Sequence, residues 1–394
     1  VWPTPSATQR VRDWSRSALA AEEGEPVTPV TPAEEVGDLL AAVRRQRAAE
    51  LLQPWAAALG LPDELTAALD DMRTAGRRAV MVRSLEQARL GAALDDAGIR
   101  WLAIKGSALA VQTTGDPTGR GAGDIDVLVP VETVANAYAL LHDFGWIARP
   151  VGSAAPGTWA WRHIVDTFHE MTFDSPAGTV DLHWRLDPTY DALPSFDPLW
   201  ERRQQVELMG SIAWTLAPSD ALTHTCHHAA RDDWRWLRSL FDVRRLARDP
   251  AAWEAGPLAP VTTATLRVTD DLVGLPAATP NRVGAGFRSV PGSTVRRAVS
   301  AQDRPVIAAY PFPAAQTVRD LRYRLSASRT PGDVRRTVVA AILPPKVVAG
   351  LEDPTVRTAL PRVLARRLTW LVRRSFAWLR RVPGASVVQT TGQR

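Results

Sequence analysis

Asp124 and Asp126 flank a single isoleucine in the run D-I-D-V-L-V, residues 124–129. In an extended chain residues two apart share a face, so both carboxylates point one way while Ile125, Val127 and Val129 point the other. Two like charges roughly 7 Å apart repel unless a cation lies between them. Hard divalent ions such as Mg²⁺ or Mn²⁺ take a few carboxylates together with phosphate oxygens and water. Two carboxylates at this spacing can bridge two such ions, the arrangement that serves in-line phosphoryl or nucleotidyl transfer. A third carboxylate is then expected from a neighbouring strand. Asp181, in T-V-D-L-H-W, is the candidate, and by the same period it shares a face with His183. Read alone, D-I-D is equally a strand edge kept soluble by acids.

Upstream, Gly106-Ser107 stands where an apolar run, W-L-A-I, meets a helical pattern. Free N–H groups and the helix dipole at such a turn attract phosphate, and glycine lets a ligand approach the backbone. Lys105 or Arg120 would offset phosphate charge. The plain alternative is an ordinary strand-to-helix turn with Ser107 as its N-cap. The G-x-x-x-x-G-K-[ST] loop is absent, and G-R-G-A-G at 119–123 opens a strand rather than a helix, which excludes a dinucleotide fingerprint. His224 and His228 lie one helical turn apart near His227 and Cys226, but no second cluster completes a zinc site. They are candidates for acceptor binding or helix packing. His169 and His183 fall on or beside the strands of the proposed site, as partners of a carboxylate or phosphate or as satisfied structural histidines.

The elements that must position these groups are legible as patterns. Residues 32–98 read as helices, with Pro62-Asp63 marking the start of the longer one. Strand 101–104, helix 107–112, strand 124–129 and helix 131–144 follow, the last closed by Gly145. Then come strand-like M-T-F-D (171–174) and T-V-D-L-H-W (179–184). A hairpin, Q-V-E-L-M and I-A-W-T-L, leads to a helix start at Pro218-Ser219-Asp220, and the stretch through W-R-W-L-R-S-L-F-D-V reads as helical. The order predicts an α+β protein: a small mixed-sheet core at 99–188 between a helical segment at 32–98 and a mostly helical region at 189–350. Residues 1–31 are expected to be a mobile leader without the apolar run of a signal peptide, and 351–394 a basic Arg/Trp helix and tail.

Composition narrows the class. The chain has 394 residues, 45% hydrophobic and 23% charged, with a net charge of only +5, which argues against a dedicated nucleic-acid coat. Nearly all basic residues are arginine; lysine occurs only at Lys105 and Lys346. One cysteine, Cys226, excludes an internal disulfide and fits a reducing, cytoplasmic setting. No uncharged apolar run is long enough for a transmembrane helix. Residues 361–383 carry seven arginines and no acid among Trp and Leu. Such a segment suits an anionic membrane surface or nucleic acid, or else a terminal helix docked by its apolar face.

The set L-A-I-K-G-S-A-L-A, Arg120 then D-I-D-V-L-V, H-E-M-T-F and V-D-L-H-W resembles an uncharacterised bacterial nucleotidyltransferase family of the DNA polymerase β-like nucleotidyltransferase superfamily. H-T-C-H-H-A-A-R-D-D-W-R-W-L-R-S-L-F-D-V is similar to that family's helical segment. The resemblance implies a polymerase β-like palm as the core and transfer of an NMP group from an NTP to an acceptor hydroxyl, with pyrophosphate released. It implies Asp124, Asp126 and Asp181 as metal-binding and catalytic carboxylates, and Gly106, Ser107, Lys105 and Arg120 as nucleotide-binding residues. The acceptor, whether small molecule, peptide or RNA, is not selected by any motif. A phosphotransferase using the same metal site, and a silent nucleotide- or partner-binding regulator, are the alternative readings. The gap from Ser107 to Asp124 is longer than in the general superfamily pattern.

Overall fold

Seven short strands rich in β-branched and aromatic residues pair into one mixed sheet of order β3-β4-β5-β2-β1-β7-β6. They are β1 (Leu102–Ala103), β2 (Asp124–Leu128), β3 (Ile147–Ala148), β4 (Glu170–Ser175), β5 (Gly178–His183), β6 (Gln204–Leu208) and β7 (Ser211–Thr215). The computed structural model describes residues 2–349 apart from 31, 122, 150–153, 177, 255 and 305–312, together with 361, 365 and 369. β4 and β5 form an antiparallel hairpin, and β5 lies parallel to β2 with Asp126 opposite Asp181 and Leu128 opposite His183. β1 is antiparallel to β2 and parallel to β7. The architecture is the expected mixed α+β one. The sheet, however, runs past residue 188, because the hairpin Gln204–Thr215 joins it through β7.

The period-2 pattern decides what lies on each side of the sheet. Ile125, Val127, Val180, Leu182 and Phe173 are buried in one core, against helices Val134–Asp143 and Trp159–Thr167. Leu102 and Leu128, on the other face, pack with Leu109, Cys226 and Val243 of helices Gly106–Thr114, Pro218–Arg231 and Leu237–Leu246. Asp124, Asp126, Asp181 and His183 belong to this second face by alternation. Helix 131–144 begins as a 3₁₀ turn at Val131–Thr133 and continues as α-helix Val134–Asp143. The expected helix through W-R-W is broken. Asp233 and Trp234 both take left-handed backbone (φ 55° and 53°), Trp234 N closes on Ala229 O at 2.8 Å, and the next helix starts at Leu237.

Residues 1–31, expected as a mobile leader, instead contain a packed helix, Pro5–Ala21. Thr4 caps it, accepting from Ala7 N, and Pro5 occupies a position where no N–H is needed. Its Val11, Trp14, Ala18 and Leu19 are fully buried in a third core shared with Leu39, Leu65, Ala229, Phe241 and Val268. The apolar residues Val11, Trp14, Ala18 and Leu19 keep helical spacing within a polar run, and the surfaces that bury them come both from helix Val36–Gln46 nearby and from helix Pro260–Val273 far along the chain. An ion-pair clamp closes the same join. Glu22 meets Arg245 at 2.6 Å and Arg248 at 2.8 Å, and Glu23 meets Arg244 and Arg248 at 3.0 Å each. No helix among the described residues is long and apolar enough to cross a membrane. The Arg/Trp segment 361–383 lies outside the described residues save Pro361, Ala365 and Thr369, which are helical and exposed.

Candidate active site

Asp126 sits mid-strand in β2 and its side chain is fully buried. Its Oδ1 receives Lys105 Nζ at 2.7 Å and His183 Nε2 at 3.1 Å. Burial pushes the Asp126 carboxyl up, but the charge and hydrogen bonds of Lys105 and His183 outweigh it and hold the group well below the usual carboxylate range. Lys105 is the counterpart: burial would lower its pKa, yet Asp126 and Glu170 raise it. Asp124, at the start of the strand, is raised, first by the charge of Asp126 and then by burial. Asp181, across the parallel pair from Asp126, is pushed up to about 6 by burial, with Glu170 and Asp126 adding to it. The repulsion that the D-I-D spacing predicts is therefore present in the fold, and Lys105 relieves only part of it.

Asp126 Oδ2 and Asp181 Oδ1 are buried and have no hydrogen-bond partner among the described residues. A buried carboxylate oxygen without a donor is costly and rare in a purely structural setting. Asp126, Asp181 and His183 each offer a ligand atom, and these lie within 4.8 Å of one another. Oxygen donors aimed into one space with surplus negative charge fit a hard divalent ion.

Glu170, His169 and His183 also lie close enough to hold an ion, but the chemistry differs. Arg231 Nη1 is 2.7 Å from His169 Nε2. A guanidinium only donates, so that nitrogen is bare and its lone pair is taken. Burial pushes His169 down to about 4, in keeping with a neutral ring. Its 3.3 Å approach to Glu170 Oε2 is therefore two acceptors side by side under the charge of Arg231. Burial would raise Glu170, but neighbouring His183 and the charge of Arg231 hold it well below the usual range. Here the cation is already supplied by the protein, and the aspartate group is the better metal candidate.

The sequence candidates fall into place unevenly. Asp124, Asp126 and Asp181 share one sheet face, with His183 among them and His169 at the start of β4. Gly106 opens helix Gly106–Thr114 with φ 52°, a backbone that glycine adopts without strain. Ser107 is buried, with its Oγ 2.9 Å from Ser84 Oγ of the long helix Asp63–Asp96. Lys105, expected to face phosphate, spends its ammonium on Asp126. Arg120 is bonded to Asp242 Oδ2 at 2.8 Å, and its charge reaches Asp124 through space together with that of Arg238. Arg238 donates to Gly121 O at 3.1 Å and so ties the 115–123 loop to helix Leu237–Leu246. His224 and His228 have rings 6.4 Å apart and are held well below their ordinary value, by burial first and Lys105 second.

Four residues were given no role by the sequence, although each falls in a run that carries the family resemblance: Glu170, Arg231, Arg238 and Asp242. Glu170 had a usable signal. Once 171–174 and 179–184 are joined as a tight hairpin, its register sets Glu170 opposite His183. The other three lie on helices whose docking no local pattern reports.

With this geometry in hand, comparison with known proteins is informative at the level of family. The profile of a family described as uncharacterised nucleotidyltransferase matches residues 32–257, more than half of the chain. A solved structure, that of an antigenic nucleotidyltransferase-like protein from Paracoccidioides brasiliensis, is similar at 16% identity and a TM-score of 0.31. That alignment covers 54% of this chain and 95% of the other. Among curated proteins none matches.

Proposed function

The chain belongs to the uncharacterised nucleotidyltransferase family, and from that premise we propose that it transfers an NMP group from an NTP to a hydroxyl of an acceptor, releasing pyrophosphate. The observation that carries this reading is the pair of buried, unpartnered oxygens, Asp126 Oδ2 and Asp181 Oδ1, on adjacent parallel strands. Asp124, Asp126 and Asp181 would hold Mg²⁺ or Mn²⁺, which supplies charge neutralisation for the phosphates. Lys105 and His183 fix Asp126 through Oδ1 and leave Oδ2 facing the site. The N-terminus of helix Gly106–Thr114, opened by Gly106 and Ser107, presents free N–H groups to the triphosphate. Arg120 and Arg238 add positive charge on the Asp124 side, and His224 and His228 line the helix that faces Lys105.

In the transfer step the acceptor oxygen forms a bond to the α-phosphorus while the bridging bond to the β-phosphate breaks in line. The hydroxyl proton passes to Asp181, the carboxylate that lies across the parallel strands from Asp126. Most of the acceleration would come from positioning and from charges set before reaction. The test is incubation of the full chain and Mg²⁺ with α- and γ-labelled ATP and a cell extract. Label retained from the α-phosphate supports nucleotidyl transfer; label from γ alone assigns a phosphotransferase; label from neither leaves a nucleotide-binding regulator. Asp124→Ala and Asp126→Ala are expected to abolish transfer with the fold intact, and wild-type turnover in either would sink the assignment.

A further inference from the structure

Asp126 can present Oδ2 to the site only if its carboxylate is prevented from rotating, and the residues that prevent it reach beyond the site itself. His183 Nε2 donates to Oδ1 at 3.1 Å, and an imidazole does this only when its ring plane and its flip are fixed. Its other nitrogen, Nδ1, lies 3.4 Å from Glu170 Oε2, an ion-pair approach without a hydrogen bond, so Glu170 acts on the ring by its charge. The two residues are direct cross-strand partners in the β4–β5 hairpin, so their side chains leave the sheet on the same face, one beside the other. Glu170 and Asp126 thus bracket the ring from its two ends. Glu170 is itself 79% buried, which a lone carboxylate does not tolerate, and the charge of Arg231 offsets it. Arg231 ends helix Pro218–Arg231, bonded to His169. The order is therefore Arg231, then Glu170 with His169, then His183, then Asp126, running from the helical region into the sheet.

We propose that Glu170 and Arg231 are positioning residues: through His183 they set the orientation of the Asp126 carboxylate, and so the affinity of the site for a divalent cation. The inference rests on the metal-site reading above and deepens it. Outer partners of a histidine beside a metal site commonly change metal affinity by about 10–100-fold when removed.

Two near-isosteric substitutions separate position from charge. Glu170→Gln keeps the length of the side chain but removes the charge. Glu170→Asp keeps the charge but draws the carboxylate back by one methylene. Mn²⁺ binding to the full chain, followed by paramagnetic resonance without nucleotide, is the readout, with circular dichroism to check the fold. The expected result is a loss of affinity on the order of 10-fold in Glu170→Gln, with Glu170→Asp closer to wild type. The reverse ranking, or wild-type affinity in Glu170→Gln, overturns the positioning role while leaving the metal site standing. Absence of Mn²⁺ binding in the wild-type chain overturns the metal-site reading and this inference with it. Arg231→Lys, which keeps the cation but loses the planar fork, is expected to fall between wild type and Glu170→Gln; full loss of binding by a folded Arg231→Lys would place Arg231 in the site itself.

Discussion

Two clusters of charge in this molecule obey opposite rules. In the clamp between the first helix and helix Leu237–Leu246, Glu22 and Glu23 face Arg244, Arg245 and Arg248, and each acid meets two guanidiniums. Burial pushes Glu22 up, but Arg245 and Arg248 bring it below its ordinary value. In the sheet, Asp124 and Asp181 are instead raised, and two carboxylate oxygens have no donor. The first cluster is a completed structural contact. The second withholds satisfaction from its own groups, which is what a site awaiting a ligand does.

Substitutions can break that contrast, and the largest effect belongs to Asp126. Asp126→Ala is expected to cost transfer activity about 10³-fold or more, measured as kcat/KM with Mg²⁺, because it removes a metal ligand and the anchor of Lys105 and His183 together. The clamp comes next: Arg245→Ala removes a buried guanidinium and the shortest partner of Glu22, which is exposed and keeps Arg248, so a loss of about 1–2 kcal/mol in denaturant unfolding is expected at neutral pH. Unchanged stability would mean that the clamp is ornament.

Asp181→Asn sharpens the comparison by sign. The folded carboxyl titrates near 6 against an ordinary 3.8, so folding favours its protonated form. The cost of ionising it is absent below pH 4, accumulates as pH rises towards 6, and is fully present above that. The substitution should therefore raise Tm at pH 7–8, leave it unchanged at low pH, and lower activity. Glu22→Gln should do the reverse. The lowered Glu22 carboxyl contributes stability above the ordinary carboxylate range and loses it as pH falls. The smallest effect is Ser107→Ala, which removes the hydrogen bond to Ser84 at a cost of roughly 1 kcal/mol; a large change in KM for ATP would show that the hydroxyl also serves the nucleotide.

What the sequence disclosed follows the range of the interactions. The shared face of Asp124 and Asp126 is a period-2 property, local to five residues, and β2 displays it. Asp181 became a candidate by strand position, and the parallel register of β2 and β5 sets it opposite Asp126. The start of the long helix at Asp63 was marked by Pro62. Partners separated by many residues were not legible. Arg120 was expected to look toward phosphate, yet its bond runs to Asp242, 122 positions away. The turn at Asp233-Trp234 was read through as helix because its cause is distant: the Trp234 indole donates to Thr265 Oγ1 at 2.9 Å. The first helix was read as a leader although Val11, Trp14, Ala18 and Leu19 keep helical spacing; what no local pattern showed is the part of its core supplied by Ala229, Phe241 and Val268.

That last packing has a consequence for how the protein is made. Synthesis delivers helix Pro5–Ala21 well before its later partners, since Glu23 and Arg244 stand 221 residues apart. While the intervening chain emerges, the face carrying Val11, Trp14 and Leu19 lacks the surfaces from residues 229–298 that complete its core. Such late closure makes nascent intermediates adhesive and folding slow. A helix made before most of the chain thus has its core completed late, and chaperone demand should be heaviest on chains stalled before residue 229.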